Sequence, residues 1–391
     1  VEDVLGALKA LGVSYGYDSY VKWRRTLKVG LIVNPIAGMG GAVGLKGTDG
    51  EAYKKALIRG AKPIAPRKAY SFLSLVKPIS KAIELLSFSG LMGEVEAKQA
   101  GLYVNVLKNV SEETTAEDTK EAASLMIDEG ADVLVFVGGD GTARDIFDAV
   151  KGKSIPVIGV PSGVKMYSSI FAVNVLAAAD LFIDYVRFDL PCEEREIVDV
   201  DEEAFRRGVL SVKHYGYLRT PVKDGVLQAV KMPSSSCDKE EQLKIAKFVA
   251  KNMEKDVVYV VGPGLTTYAL AEVLGFDKTL LGVDVVLNGK TIAKDADEGT
   301  ILSLIRGKKA KIIVTPIGGQ GFIFGRGNQQ ISPNVIKLVG KGNIIVLATK
   351  NKIKHIDALR VDTGDAEVDA MLRGSIEVIV GYGEKTLMDI V

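Results

Sequence analysis

The chain is poor in the residues that build metal cages and covalent cross-links. Its 391 residues include two cysteines, Cys192 and Cys237, and two histidines, His214 and His355, far apart in sequence. Two cysteines cannot make a disulfide framework, and a reducing, cytoplasmic setting suits them best. The scarcity of histidine argues against a histidine-rich metal centre. No apolar run approaches the roughly 18–20 residues that span a bilayer. The mixed, acidic start from Val1 to Ala10 does not read as a secretory signal. Neither sign of charge dominates. A net charge of +1 gives no electrostatic ground for a nucleic-acid or membrane partner, so a small molecule is the expected one. Fixed-period repeats and long low-complexity linkers are also missing.

What is there is globular: 47% hydrophobic and 25% charged residues, in a chain long enough for two domains. Residues 1–27 read as an N-terminal extension with a short amphipathic helix and the only tryptophan, Trp23. From Lys28 to about Tyr185 strand and helix signals alternate. Strands are predicted at Val29–Val33, Tyr103–Val106, Asp132–Val137 and Ile155–Val160. Helices are predicted at Ala52–Arg59, Ala69–Val76, Thr115–Glu129 and Arg144–Val150, with a long apolar one within Val164–Tyr185. Repeated βα units imply a parallel sheet covered by helices. Near Arg187 the pattern changes. Hairpin signals appear at Lys223-Asp224-Gly225-Val226 and at Asn288-Gly289. A helix is predicted at Glu240–Asn252, and strands at Val257–Val261, Lys311–Thr315, Asn343–Ala348 and Ile376–Val380. The expected fold is therefore an N-terminal Rossmann-like α/β domain over residues 28–185, followed by a mixed, β-rich domain over residues 186–391.

The chemistry concentrates where strands run into glycines. The buried strand 132–137 ends in Gly138-Gly139-Asp140-Gly141-Thr142, and a helix follows. Ligands of open α/β sheets bind beyond the carboxyl ends of strands. Glycines let main-chain amides approach phosphates, and a new helix offers its free N–H groups to an anion. Between glycines, the Asp140 carboxylate is expected to stand open to a substrate. It can take a proton from an attacking hydroxyl or help hold Mg²⁺. The bland alternative is a capped turn, since Asp and Gly are common turn residues. The doubled glycine after a six-residue apolar strand favours the functional reading.

Asn34-Pro35-Ile36-Ala37-Gly38-Met39-Gly40-Gly41 ends the first strand and reads either as a phosphate loop or as an ordinary βα loop. It is neither a Walker loop nor a Gly-x-Gly-x-x-Gly fingerprint. Ser162, Gly163 and Lys165 follow a third strand, where Lys165 either meets phosphate or is simply solvated. Gly262-Pro263-Gly264-Leu265-Thr266-Thr267-Tyr268 reads as a strand-turn-helix passage, with Thr266 as a plausible N-cap. In the late loop from Gly318 to Asn328, Gly318 and Gly319 can cradle a phosphate and Arg326 can clamp it. The same glycines also permit a tight bend or a subunit contact.

Together these loops resemble the superfamily shared by NAD kinases and diacylglycerol or sphingosine kinases, which use Gly-Gly-Asp-Gly-Thr after a strand. The 262–270 segment is similar to an NAD kinase motif. That match implies dinucleotide contacts from Gly264, Thr266, Thr267 and Tyr268. Gly44-Leu45-Lys46-Gly47-Thr48-Asp49, Val160–Met166 and Thr315–Gly321 resemble a prokaryotic ATP-NAD kinase-like branch that includes an acetoin-catabolism accessory protein. The resemblance covers about residues 28–390. It implies a two-domain fold with the site between the domains, and a homo-oligomer. It also implies Mg²⁺, ATP as donor and NAD as acceptor, phosphorylated on the adenosine 2′-hydroxyl. Two departures touch acceptor recognition. The Asn-Glu pair that reads the adenine ribose is absent, with Asn174-Val175 nearest its place. The usual Gly-Asn-Leu-Gly-Phe loop is replaced by Pro161–Lys165. Phosphorylation of another hydroxyl (lipid, sphingoid or small metabolite) and non-catalytic nucleotide binding are the competing readings.

Overall fold

The computed structural model describes residues 26–41, 43, 51–58, 60–111, 113–163, 166–200, 212–223, 226–227, 237–317 and 321–391. Several features singled out above lie outside them: the extension up to residue 25, Gly44–Asp49, Lys165, Asp224-Gly225 and Gly318–Gln320.

The first layer runs β1 (Leu27–Val33), α1 (Glu51–Ile58), α2 (Ala65–Val76), β2 (Ile83–Phe88), α3 (Glu94–Gln99), β3 (Val104–Lys108), α4 (Ala116–Asp128), β4 (Val133–Gly138), α5 (Asp140–Val150), β5 (Val157–Pro161) and α6 (Val175–Phe188). Its five strands are all parallel, in the order β3-β2-β1-β4-β5. The chain winds outward from β1 through β2 to β3, then returns to the other side of β1 for β4 and β5. The winding direction therefore reverses between β1 and β4, leaving a crevice beyond their carboxyl ends. Alternate residues of β4 serve opposite faces. Val133, Val135 and Val137 join the core beneath α2 and α6, while Leu134 and Phe136 join the core beneath α4 and α5.

Helices α2 and α5 begin about a full turn earlier than the sequence predicts. Helix α2 starts at Ala65, because Pro66 with its fixed φ suits a first helical turn. Helix α5 starts at Asp140 itself, with Gly139 as its N-cap. Strand β2 carries no such expectation at all, although it pairs with β1 and β3 in the middle of that half of the sheet.

Next come β6 (Cys192–Val200) and β7 (Val212–Pro221), an antiparallel ribbon. The hairpin expected at Lys223–Val226 has its central residues and its second strand outside the described residues; the strand before it pairs with β6, and Leu227 bridges Ala172. Although the ribbon follows the βα repeats, it packs on the first layer. Ile197 and Leu218 enter the core beneath α5, and Gly216 lies against the Phe147 ring, where a Cβ would come within 2.4 Å.

The second layer comprises α7 (Cys237–Asn252), β8 (Val258–Val261), α8 (Leu265–Leu274), β9 (Asp284–Leu287), β10 (Lys290–Ala293), α9 (Glu298–Ile305), β11 (Ala310–Val314), β12 (Phe322–Phe324), α10 (Pro333–Val339), β13 (Ile344–Leu347), α11 (Lys350–Lys354), β14 (Arg360–Val361), α12 (Ala366–Leu372), β15 (Gly374–Ile379) and β16 (Lys385–Ile390). Its main sheet is mixed, in the order β10-β9-β8-β11-β13-β15-β16, with β8, β11, β13 and β15 parallel. The Asn288-Gly289 turn joins β9 to β10 as predicted, with both residues at positive φ (50° and 72°). Helices cover both faces: α7 and α8 on one, α9, α10 and α12 on the other. The chain thus has the two-domain α/β architecture expected from the sequence, an all-parallel sheet followed by a mixed one.

Candidate active site

Three loops meet at the crevice of the first sheet. The main-chain N–H of Asn34 donates to the Val137 carbonyl (3.0 Å), carrying the β1–β4 ladder one residue past the strand. The Asn34 side chain then fixes two loops at once. Its Nδ2 donates to Thr142 Oγ1 (2.9 Å), and its Oδ1 accepts from the N–H of Ile36 (3.3 Å). Gly38 has φ +81°, and a Cβ there would meet the Ser162 carbonyl oxygen at 1.9 Å, so only glycine fits. Gly40 is buried in the same turn. A Cβ on Gly41 would lie 3.1 Å from the Gln329 side chain of the second layer.

The other two loops interlock just as closely. A Cβ on Gly138 would strike Thr142, and one on Gly163 would lie 2.9 Å from the Cα of Gly139. The N–H groups of Ser162 and Gly163 both donate to the Gly138 carbonyl (2.9 and 3.3 Å). Gly141 faces open space, with nothing within 4 Å of a Cβ built on it. Ser162 is buried, and its Oγ has no hydrogen-bond partner.

Asp140 sits in the first turn of α5, where a negative charge complements the helix dipole. Its carboxylate does not stand bare, as the sequence suggests. The residue is only 5% exposed. The N–H of Tyr167 donates to Oδ2 (2.7 Å) and that of Ser168 to Oδ1 (3.0 Å). Glycine neighbours leave room, and the 166–170 segment fills it. That segment is held in turn by β6. Ser168 Oγ donates to the Val198 carbonyl (3.0 Å) and accepts from the Val198 N–H (3.1 Å). Ser169 makes the matching pair with Glu196, its N–H donating to the carbonyl (3.0 Å) and its Oγ accepting from the N–H (2.9 Å). Burial, with the Asp140 charge nearby, pushes the Tyr167 hydroxyl up to about 12. Sequence reasoning missed Ser168 and Ser169. Their only signal is two hydroxyl residues just past a glycine loop, which is common in any turn.

The second layer reaches this crevice through the strand β12 and the turn after it. Arg326 is 8% exposed. Its Nη2 donates to the Val173 carbonyl of the first layer (2.7 Å), and its guanidinium lies 4.7 Å from the Phe322 ring centroid. Burial lowers its pKa, opposed by the charges of Asp362 and Asp140. Lys68, from α2, pairs with Asp362 Oδ2 at 2.8 Å. Lys68 and Asp362 escaped the sequence reading because they lie 294 positions apart.

The 262–268 segment sits beyond the carboxyl end of β8, where the second sheet also reverses its winding direction. Its N-cap is Gly264 rather than Thr266, and Gly264 has φ +124° against Thr315. Thr267 Oγ1 is spent inside the turn, near the carbonyls of Gly262 (2.8 Å) and Gly264 (2.9 Å). Thr266 is buried and Tyr268 half-buried. The Oγ1 of the buried Thr315 has no partner. Asn174 caps α6, its Oδ1 accepting from the Ala177 N–H (2.8 Å).

Glycine loops at the switch point of a parallel sheet, one gripped carboxylate and a buried arginine from a second layer define a nucleotide-binding α/β enzyme. Family models for the N-terminal and C-terminal domains of ATP-NAD kinase match residues 29–185 and 254–390. The chain belongs to the ATP-NAD kinase-like family, and is thereby a phosphotransferase with an alcohol acceptor that works on NAD-like and ATP-like nucleotides. No curated protein matches the chain.

Proposed function

We propose that the chain transfers the terminal phosphoryl group of ATP to the 2′-hydroxyl of the adenosine ribose of NAD, giving NADP. The observation that carries this reading is Asp140, held by two main-chain amides at the β1–β4 switch point and approached by Arg326 from the other layer. A carboxylate fixed in this way is oriented to accept the hydroxyl proton as the oxygen attacks phosphorus. Main-chain groups of the 34–41 and 138–142 loops surround the donor phosphates, and Arg326 offsets charge that develops during transfer. The Gly264–Tyr268 turn, with Thr315, receives the dinucleotide. In this division of labour residues 28–185 bring the donor loops and Asp140, and residues 186–391 complete the acceptor side.

Among the described residues no group of three or more His, Cys, Asp or Glu side chains forms a metal cage. Both Asp140 oxygens already accept N–H groups. Among the described residues no side-chain cage thus stands ready for Mg²⁺, and on this reading the cation enters with the donor phosphates. Assembly into a homo-oligomer in the cytoplasm completes the proposal. No helix among the described residues is long and apolar enough to cross a membrane.

One observation favours a second reading. The side chain of Asn174, nearest the place of the ribose-reading pair, is committed to a helix cap, and Val175 beside it offers no carboxylate. A different hydroxyl substrate, or nucleotide binding without transfer, accommodates that. Incubating the full chain with ATP, Mg²⁺ and NAD and assaying NADP separates them. NADP formation supports the first reading; nucleotide binding without NADP, or transfer to another alcohol, supports the second.

A further inference from the structure

Helix α2 begins with a charge arrangement that folding alone disfavours. The positive end of a helix dipole is stabilised by acidic side chains, yet the first turn of α2 holds Arg67 and Lys68, no acidic residue and no side-chain cap. This end of the helix lies against the first glycine loop: a Cβ on Gly38 would stand 3.8 Å from Ile64, the α2 N-cap. More positive charge arrives from the second layer. Arg326 Nε stands 3.7 Å from the same Asp362 oxygen that Lys68 holds at 2.8 Å. That Nε is buried and has no hydrogen-bond partner. Arg67 completes the group, its Nη2 2.6 Å from where a Cβ on Gly364 would sit. Two cations from two layers, Lys68 and Arg326, thus share one carboxylate, Asp362, with Arg67 beside them and the Asp140 charge acting on Arg326. Burial lowers the pKa of Lys68, and the neighbouring Arg326 and Arg67 charges act in the same direction. Asp362 hydrogen-bonds Lys68 but stands too far from Arg326 Nε to do the same, although a carboxylate can accept from both.

We propose that Arg67, Lys68 and Arg326 form the subsite for the polyphosphate of the phosphoryl donor, with Asp362 holding the cations in place until that anion binds. The assignment rests on the kinase reading for the identity of the anion, and on geometry for its position. A polyphosphate has enough acceptor oxygens for Lys68 Nζ and Arg326 Nε together. Because the cations come from both layers, the same anion draws the layers together.

The proposal makes two substitutions move in opposite directions. Lys68→Ala removes a cation and is expected to weaken binding of inorganic tripolyphosphate by about tenfold or more in calorimetry. Asp362→Asn removes the competing carboxylate and is expected to strengthen that binding by about threefold or more. NAD affinity should stay unchanged in both, and Lys68→Arg should retain most of the tripolyphosphate affinity. If Lys68 and Asp362 only fasten the layers, both variants lose thermal stability and bind tripolyphosphate no differently, which overturns the proposal. Tripolyphosphate that fails to bind the unaltered chain overturns it as well. A chain that binds tripolyphosphate through Lys68 yet makes no NADP upholds the subsite and removes the kinase reading, so the two stand or fall separately.

Discussion

At the scale of single residues, Asp140 carries two burdens that mutagenesis can separate. Its carboxylate is the proposed base, and it is also the acceptor for the N–H groups of Tyr167 and Ser168. Asp140→Ala strands both amides in a buried place, at roughly 1–3 kcal/mol each. Asp140→Asn keeps one acceptor oxygen and loses the other. Both variants should lack turnover, and the alanine variant should melt at the lower temperature. Equal melting temperatures would show that the two amides find other partners. Gly38 poses a purely steric version of the question. At φ +81°, with a carbonyl oxygen 1.9 Å from its Cβ position, even alanine cannot fit without moving the loop. Gly38→Ala should therefore raise the KM for the donor while leaving the melting temperature within a few degrees.

Elements explain why the site stays in place. The side chains of Lys278 and Asp284 are both wholly buried at the end of β8 that carries the Gly262–Gly264 turn, 3.0 Å apart. Asp284 also accepts from the N–H of Thr279 (3.0 Å) and the N–H of Asp295 (3.0 Å). Burial lowers the Lys278 pKa, opposed by the Asp284 charge. Asp284→Asn leaves the ammonium without its counter-charge and should cost about 3–5 kcal/mol in a urea melt. A loss under about 1 kcal/mol would mean that the carbonyls around Lys278 suffice. A second buried charge lies on α3. Glu96 is 1% exposed, and neither carboxyl oxygen has a partner. Burial raises its pKa from 4.5 to about 7. The folded state therefore binds this proton more tightly than the unfolded one. Its contribution to stability is whole below about pH 4.5 and is lost as pH rises through about 7. Glu96→Gln should match the parent near pH 4.5 and exceed it above pH 7, by no more than about 3 kcal/mol. A constant difference across that window would place the cause elsewhere.

Across the whole molecule, what could be read in advance was what is local. The run Val133–Gly138 has the unbroken apolarity of a strand buried on both faces, and the glycines after it announce the loop. Asn288-Gly289 dictates its own turn. Strand β2 was invisible because Ile-Glu-Leu-Leu-Ser-Phe has no clean period of two, and its register is set by the neighbours β1 and β3. The same limit applied to the site. The carboxyl ends of β1, β4 and β5 were foreseeable as loops with glycine. The grip of the 167–168 amides on Asp140, the β6 ribbon beneath them and the pairing of Lys68 with Asp362 arise only once distant segments meet. No pattern of neighbouring residues encodes those contacts.

The proposed phosphoryl transfer depends most on Asp140 acting as the base. Its most direct test is the rate of NADP formation from NAD and saturating ATP by purified Asp140→Asn, beside the parent chain at matched folded fraction. Loss of about a hundredfold or more, with nucleotide binding intact, is the expected result. Turnover within a fewfold of the parent would contradict the account.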